Sequence, residues 1–448
     1  MRRPPASELH LPEGIRYDCI QCGRGCTDFW EIPVDPESEE RLAAFDLKAY
    51  QQRAHDEPPF IDSEFDKGDR ALNRVNDVCT FLCEDKTCAL HAALGPTNKP
   101  QTCIDFPYRY VETPAGAYVG VSFACTAVRQ NSGRLLTEKA AEIGGNFGHS
   151  IHFKQTAAPV RLTARASLSF DAYLELERAL DEILSIPRVA LWMRLLAQSV
   201  FIDLVSKALE AGKNPGTGDL TSEELAALGA LPDTKLVAAF AQRFRADNWG
   251  RLLLMAQKQR PSPMVHRAFI GLVTTFRQAL WRNATRPKAL LYILRHYTLH
   301  AAGLSRIHLQ PLPKRFRYAD FQERRVETES GSFYDTLLTR YFRHVLFRKD
   351  LLLAENVRAG HRFLLMHFAL VQWYLVGLMA EAGETVASDE TVENALLNVE
   401  KYYVLHTTYT KFLENQPLLG TLIDAVIHTP KYAASLVHPP VRPSTVPR

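Results

Sequence analysis

Phe363-Leu364-Leu365-Met366-His367-Phe368-Ala369-Leu370-Val371-Gln372-Trp373-Tyr374-Leu375-Val376-Gly377-Leu378-Met379-Ala380 runs for eighteen residues without a formal charge. That length only just reaches the lower limit for a helix that spans a bilayer. His367, Gln372 and Gly377 interrupt it, and Arg362 and Glu381 bound it closely. The stretch therefore reads as the central helix of a soluble all-α domain, with no membrane span. Its surroundings agree. Phe170–Leu184, Ala190–Leu209, Leu236–Gln257, Met264–Trp281, Ala289–Ala302, Phe333–Phe347, Arg358–Ala382, Val392–Lys411 and Leu418–His428 carry apolar residues three and four apart and end near Gly, Pro or polar breaks. The long aromatic stripe that includes Tyr297, Tyr334 and Tyr341 belongs to the core of these helices. From residue 438 the chain holds four prolines and reads as an unstructured tail.

Composition sets the outer bounds. The 448 residues are 46% hydrophobic and 23% charged, which excludes collagen-like, disordered and coiled-coil classes for the chain as a whole. The net charge of +3 conceals a division: from Arg243 to Lys349 there are 21 Lys and Arg against 6 Asp and Glu, a local +15, so the remainder carries −12. Such a belt suits nucleic acid, an acidic protein or an anionic small molecule, or simply solvated helix faces. With no RNA-binding motif, nucleic acid is not the expected partner. The start, Met1-Arg2-Arg3-Pro4-Pro5, has no long apolar run and so no secretory signal. A cytoplasmic location follows as the expectation, and there thiols stay reduced.

All eight cysteines lie between Cys19 and Cys125. They read Cys19-x2-Cys22-x3-Cys26, Cys79-x3-Cys83-x4-Cys88, then Cys103 and Cys125. Thiolates two to four residues apart on Gly-containing loops can converge on one centre, and soft sulfur donors restrict the choice largely to zinc, iron–sulfur or Cu(I). All eight are candidate metal ligands. Four saturate one zinc or one four-iron cluster, so eight leave room for spare ligands or a second centre. Paired zinc knuckles use two CxxC motifs and only Cys19/Cys22 forms one, which tilts the reading toward a 4Fe–4S cluster over zinc. The x2-then-x3 order reverses the radical S-adenosylmethionine (SAM) motif, and no βα repeat follows. Around these cysteines the chain is loop-rich, with short strands at Trp30–Val34 and Tyr118–Phe123 and one helix from Ser38 to about Arg53. The expected organisation is an extension (1–14), a small irregular Cys-rich metal-binding module (15–135), a linker (136–160) containing Gly144-Gly145-Asn146-Phe147-Gly148, a multi-helix domain (161–437) and the tail (438–448). The fold class is mainly α.

The cysteine blocks carry a resemblance. Cys19-Ile20-Gln21-Cys22-Gly23-Arg24-Gly25-Cys26 with Trp30-Glu31-Ile32-Pro33-Val34-Asp35 is similar to the opening of the YkgJ-type cysteine-cluster family, which comprises zinc- or iron-chelating proteins and the flagellin lysine-N-methylase branch. Cys79-Thr80-Phe81-Leu82, Cys88-Ala89-Leu90-His91 with Leu94-Gly95, the Cys-x-x-aromatic-Pro stretch Cys103-Ile104-Asp105-Phe106-Pro107 with Tyr108-Arg109, and Phe123-Ala124-Cys125 with Val128-Arg129 resemble its later elements. The likeness covers about residues 15–130, and the long helical part favours the methylase branch. Where the family has adjacent cysteines, Gly25 precedes Cys26, and Cys83 is an extra thiol that can substitute. The resemblance implies a metal cluster and SAM-dependent methylation of lysines on a protein substrate, flagellin-like and lysine-rich. Trp30, Asp35 and Arg109 fall in these blocks as candidate cofactor-binding residues: Asp35 and Arg109 as partners of the cluster or as turn caps, and Trp30 with Phe106 as shields from water or plain core. The alternative is a non-catalytic zinc- or iron-chelating protein whose basic helices recruit a partner. The Gly144–Gly148 stretch follows no strand and is not a SAM pocket. His91 reads as a packing or capping residue, and His296 and His300, one turn apart, as surface or core histidines.

Overall fold

A computed structural model describes residues 8–27, 31–53, 56–63, 68–150, 153–210, 231–271, 295, 298–318, 325–326, 329–404, 430–437 and 442–443. Chain contacts divide the protein into two units, Met1–Thr156 and Ala157–Arg448. The fold is mainly α.

In the second unit side-chain caps set the helix starts. Ser169, Ser332, Asn356 and Ser388 each accept a hydrogen bond from a backbone N–H two or three residues on, opening Phe170–Leu184, Phe333–Phe347, Val357–Ala382 and Asp389–Val399. Such caps contribute about 1 kcal/mol each by satisfying N–H groups that the first turn leaves without partners. The Val357–Ala382 helix ends at Gly383, whose φ of 71° closes a left-handed C-cap. Most of this helix is buried: Leu364, Leu365, Phe368, Leu370, Val371, Tyr374, Leu375 and Val376 have almost no exposure, so the apolar run is the core helix expected. Its Gly377 is a notch. A Cβ there would lie 2.7 Å from Leu312 Cδ1, 3.3 Å from Phe316 and 3.4 Å from Leu309, side chains of the hairpin that pairs Arg306–His308 with Arg315–Arg317. Tyr334 and Tyr341 are buried as expected; Tyr297 and His296 lie outside the described residues.

Several expectations need correction. The single helix Leu236–Gln257 is two, Asp233–Arg245 and Gly250–Gln257. Asn248 and Trp249 turn left-handed between them, and the Trp249 ring stacks on Phe244 and meets Phe201 edge-on, so tertiary aromatic packing overrides a continuous helical pattern. Beyond Asp389–Val399 the chain continues as a π-helical turn, Glu400–Val404. The later parts of the expected 264–281 and 392–411 helices, most of the earlier part of 289–302, and all of 418–428, lie outside the described residues. In the tail, Arg442–Pro443 pairs in parallel with Arg325–Val326, so the segment is not structureless there.

The first unit holds a four-stranded sheet ordered Leu9–His10, Gly116–Val121, Tyr108–Thr113, Phe153–Gln155, and a three-stranded one ordered Pro33–Val34, Arg70–Leu72, Phe60–Asp62. The N-terminal extension is thus tied into a sheet at Leu9 and His10. The expected linker is also structured. Leu136–Lys139 makes a 3-10 turn, Ala140–Phe147 is a helix that buries Ile143 and Phe147, and Phe153–Gln155 joins the sheet. Gly144 and Gly145 sit on this helix where little or nothing crowds them, so they weaken it without breaking it. The expected helix from Ser38 to about Arg53 is instead Pro36–Leu42 followed by a 3-10 turn, Leu47–Tyr50. The break lets Leu42 and Leu47 both enter one apolar cluster with Ile32, Val34, Phe60, Leu72, Phe81, Leu82 and Leu90.

Candidate metal centre

Four cysteines from four separate segments meet at this apolar cluster. Cys79 is part of it, and Cys26, Cys88 and Cys103 pack against it. Each segment arrives for a local reason. Gly23, at φ 69°, turns the chain into the 3-10 turn Arg24–Cys26, and Thr27 bridges to Val78, which puts Cys26 beside Cys79. Cys79 ends a hairpin whose turn residues, Asn76 and Asp77, are both left-handed, the geometry that two-residue hairpin turns favour. Leu82 bridges Cys88, the residue that opens Ala89–Leu94. Cys103 lies on the short helix Gln101–Asp105, tied to Pro33 by the Thr102 hydroxyl at 2.7 Å.

The electrostatics follow from that burial. Desolvation pushes the Cys26 and Cys79 thiols up to about 12, and Cys103 rises well above its ordinary value. In each case the charges of the neighbouring thiols add to the effect: Cys88 acts on all three, Cys26 on Cys79 and Cys103, and Cys79 on Cys103. The Lys99 ammonium opposes this at Cys26 and Cys103. Cys26, Cys79 and Cys103 therefore hold their protons at neutral pH, and a soft cation that binds them must displace these protons.

A second group lies around Cys125. That residue opens the short helix Thr126–Arg129, and burial raises its thiol to about 11 while the Val128 and Ala127 N–H groups and Arg129 pull it down and Cys22 pushes it up. The Cys22 thiol donates to the Thr126 hydroxyl at 3.6 Å. Cys19 is exposed and acts electrostatically on Cys26. Arg129, 1% exposed, donates to the Phe123 carbonyl at 2.6 Å, the Ala124 carbonyl at 3.0 Å and the Thr126 hydroxyl at 3.2 Å, and so shapes the loop that presents Cys125. Cys83 sits on the turn that its own N–H closes with the Thr87 carbonyl.

The remaining expected site residues fall as follows. Asp35 caps Pro36–Leu42, its Oδ1 accepting from the Ser38 N–H at 2.8 Å. Arg109 lies on Tyr108–Thr113 opposite Gly120. The Phe106 ring comes within 3.4 Å of the Cβ position of Gly25, so it covers the turn that carries Cys26. Trp30 lies outside the described residues. His91 is exposed on Ala89–Leu94. His300 is buried, its Nδ1 donating to the Tyr318 hydroxyl at 3.0 Å, which in turn donates to the Arg267 carbonyl; this is a core histidine. Sequence reasoning gave no role to Lys99, Thr126 or Arg129. The only signal for them was position, since all three stand within four residues of a cysteine.

The donor set suits a soft metal in chemistry: all sulfur, against apolar walls, with the Lys99 and Arg74 cations acting on it. In geometry it is open, because among the described residues no three His, Cys, Asp or Glu side chains stand close enough to hold an ion. Comparison with protein-family models, curated proteins and solved structures returns no match to this chain.

Proposed function

We propose that the chain is a cytoplasmic metal-thiolate protein whose Cys26, Cys79, Cys88 and Cys103 hold a soft metal centre, a 4Fe–4S cluster in preference to zinc. The observation that carries this reading is that these four thiols, from segments spread over residues 26–103, all pack in or against one small apolar cluster. Cys22 and Cys125, beside Thr126 and Arg129, form the reserve set, with Cys19 as its exposed member. The protein's own contribution is to place the sulfurs, keep water from them with Phe106 and the Ile32–Leu90 cluster, and lower the cost of ionising them through Lys99.

The family resemblance of the cysteine blocks extends the reading to a SAM-dependent protein lysine N-methyltransferase acting on a flagellin-like, lysine-rich substrate. In that reaction a neutral lysine amine attacks the SAM methyl carbon, the S–CH3 bond breaks, S-adenosylhomocysteine leaves, and the new ammonium loses a proton. A bound cluster would supply soft cationic iron at the site. The second reading, a non-catalytic chelating protein that recruits a partner, is favoured by the exposed cations between Arg306 and Arg317.

Anaerobic purification with iron, sulfide and zinc analysis tests the centre. Brown protein with iron and acid-labile sulfide, lost in Cys79→Ser and Cys103→Ser but kept in Cys83→Ser, is the expected result. Full metal retention in Cys103→Ser refutes the ligand set. Methyl transfer from labelled SAM to a lysine-rich protein then separates enzyme from binder, and a colourless, zinc-loaded protein inert toward SAM selects the binder.

A further inference from the structure

The local +15 of residues 243–349 is not evenly distributed over what it covers. In the hairpin of Arg306–His308 and Arg315–Arg317, Arg306 stands opposite Arg317, Ile307 opposite Phe316, and His308 opposite Arg315. Side chains alternate between the faces of such a ladder. Ile307 and Phe316 are buried on one side, reaching toward the Gly377 notch. Arg306, His308, Arg315 and Arg317 therefore share the other, where the three arginines are exposed, and Lys314 is exposed at the strand's start. Like charges directly opposite one another are unfavourable.

Four other arginines of the same unit have acidic neighbours: Arg178 pairs with Glu175, Arg245 with Glu182, Arg251 with Asp247 and Arg343 with Asp181. Among the described residues Arg306, Lys314 and Arg315 have no such carboxylate. Beside them Leu304 is 77% exposed, and no aromatic side chain is among the strongly exposed large apolar residues that are described. A single-stranded nucleic acid would find cations but no stacking platform.

We propose that this hairpin face docks an extended acidic segment of a partner protein, with Leu304 receiving an apolar side chain at its edge. The carboxylates of alternate residues in an extended segment repeat about every 6.6 Å, the same repeat that separates Arg315 from Arg317 along their strand. The proposal stands on the hairpin alone and does not depend on the metal reading.

The test uses the full-length protein and a short fluorescein-labelled oligoglutamate peptide, followed by fluorescence polarisation at two salt concentrations. Arg306→Glu/Arg315→Glu is expected to weaken binding at least about tenfold, while Arg178→Glu, a reversal at a paired arginine, changes it less than about twofold. Oligo-dT and phosphatidylserine vesicles are expected to bind more weakly than the peptide. Unchanged affinity in the double variant overturns the proposal, and so does tighter binding of oligo-dT or vesicles that the same reversal abolishes. Should that variant lose its native circular dichroism, Lys314→Glu/Arg315→Glu, both at exposed positions, serves with the same criteria.

Discussion

Replacing Arg129 by Met removes a buried guanidinium while keeping much of its volume. Three acceptors then lose the guanidinium as a donor: the Phe123 and Ala124 carbonyls and the Thr126 hydroxyl, which keeps the Cys22 thiol. A hydrogen bond from a charged donor contributes about 1.5–3 kcal/mol, and its loss at a buried carbonyl adds a desolvation cost. Three such bonds, discounted for relaxation of the loop, give a loss of about 4 kcal/mol. At a urea slope of about 2 kcal/mol/M the midpoint should fall by about 2 M. Because every cysteine lies within the first unit, thiol labelling as a function of urea, on metal-free reduced protein, reports that unit without interference from the other. Arg129→Lys should fall between, since one ammonium cannot serve all three acceptors in the same fork. A shift below about 0.5 M for the Met variant would mean that these bonds do not hold the loop, and the account of how Cys125 is presented would be lost with them.

Three further outcomes are expected in the helical unit. Gly360→Ala ought to gain nearly 1 kcal/mol of helix propensity, but its Cβ would sit within 2.6 Å of the Leu351 Cα and closer still to its carbonyl oxygen, so a net loss of about 1–3 kcal/mol is expected; a raised melting temperature contradicts it. His361 is buried with its Nε2 donating to Gln198 at 3.1 Å, and burial holds its pKa down at about 3, against about 6.5 unfolded. The unfolded chain therefore takes up the proton first: stability is complete above about pH 6.5 and declines as pH falls toward 3, by up to about 1.4 kcal/mol per unit. His361→Gln should flatten that decline between pH 7 and 4.5 in urea titrations, and an unaltered slope refutes the assignment. Glu400→Gln leaves the fully buried Arg348 with Asp350 as its remaining acid, for a loss of about 3–5 kcal/mol, whereas Tyr341→Phe, which removes only a hydroxyl donated to Glu400, should cost about 1 kcal/mol; equal effects by calorimetry would argue against the network.

How far these features could be read from the chain alone differs by element. Phe170–Leu184 and Phe333–Phe347 end where the pattern put them, because apolar spacing and a serine cap point the same way. The turn at Asn248–Trp249 could not be seen locally, since nothing in the residues flanking it says that Trp249 will swing toward Phe201, almost fifty positions earlier. Glycine misled in the opposite sense: Gly144 and Gly145 look like punctuation, yet the burial of Ile143 and Phe147 decides for a helix. For the cysteines, close spacing suggested that blocks act as units. The fold instead divides the first block, sending Cys26 toward Cys79, Cys88 and Cys103 and Cys22 toward Thr126 and Cys125. Bridges between distant segments, Thr27 to Val78 and Leu82 to Cys88, make that division, and pairing of this kind leaves no trace in short-range periodicity.

The missing side chain at Gly377 bears on the proposed docking as well as on packing. With Leu309, Leu312 and Phe316 sunk against the helix backbone, the arginines above them stand on an anchored platform. Whatever lands on it need not first freeze a floppy arm, so the toll of immobilising the receptor side is already met in folding. Filling the notch with a bulky residue would lift the platform and turn a ready-made landing strip into one that each visitor must assemble.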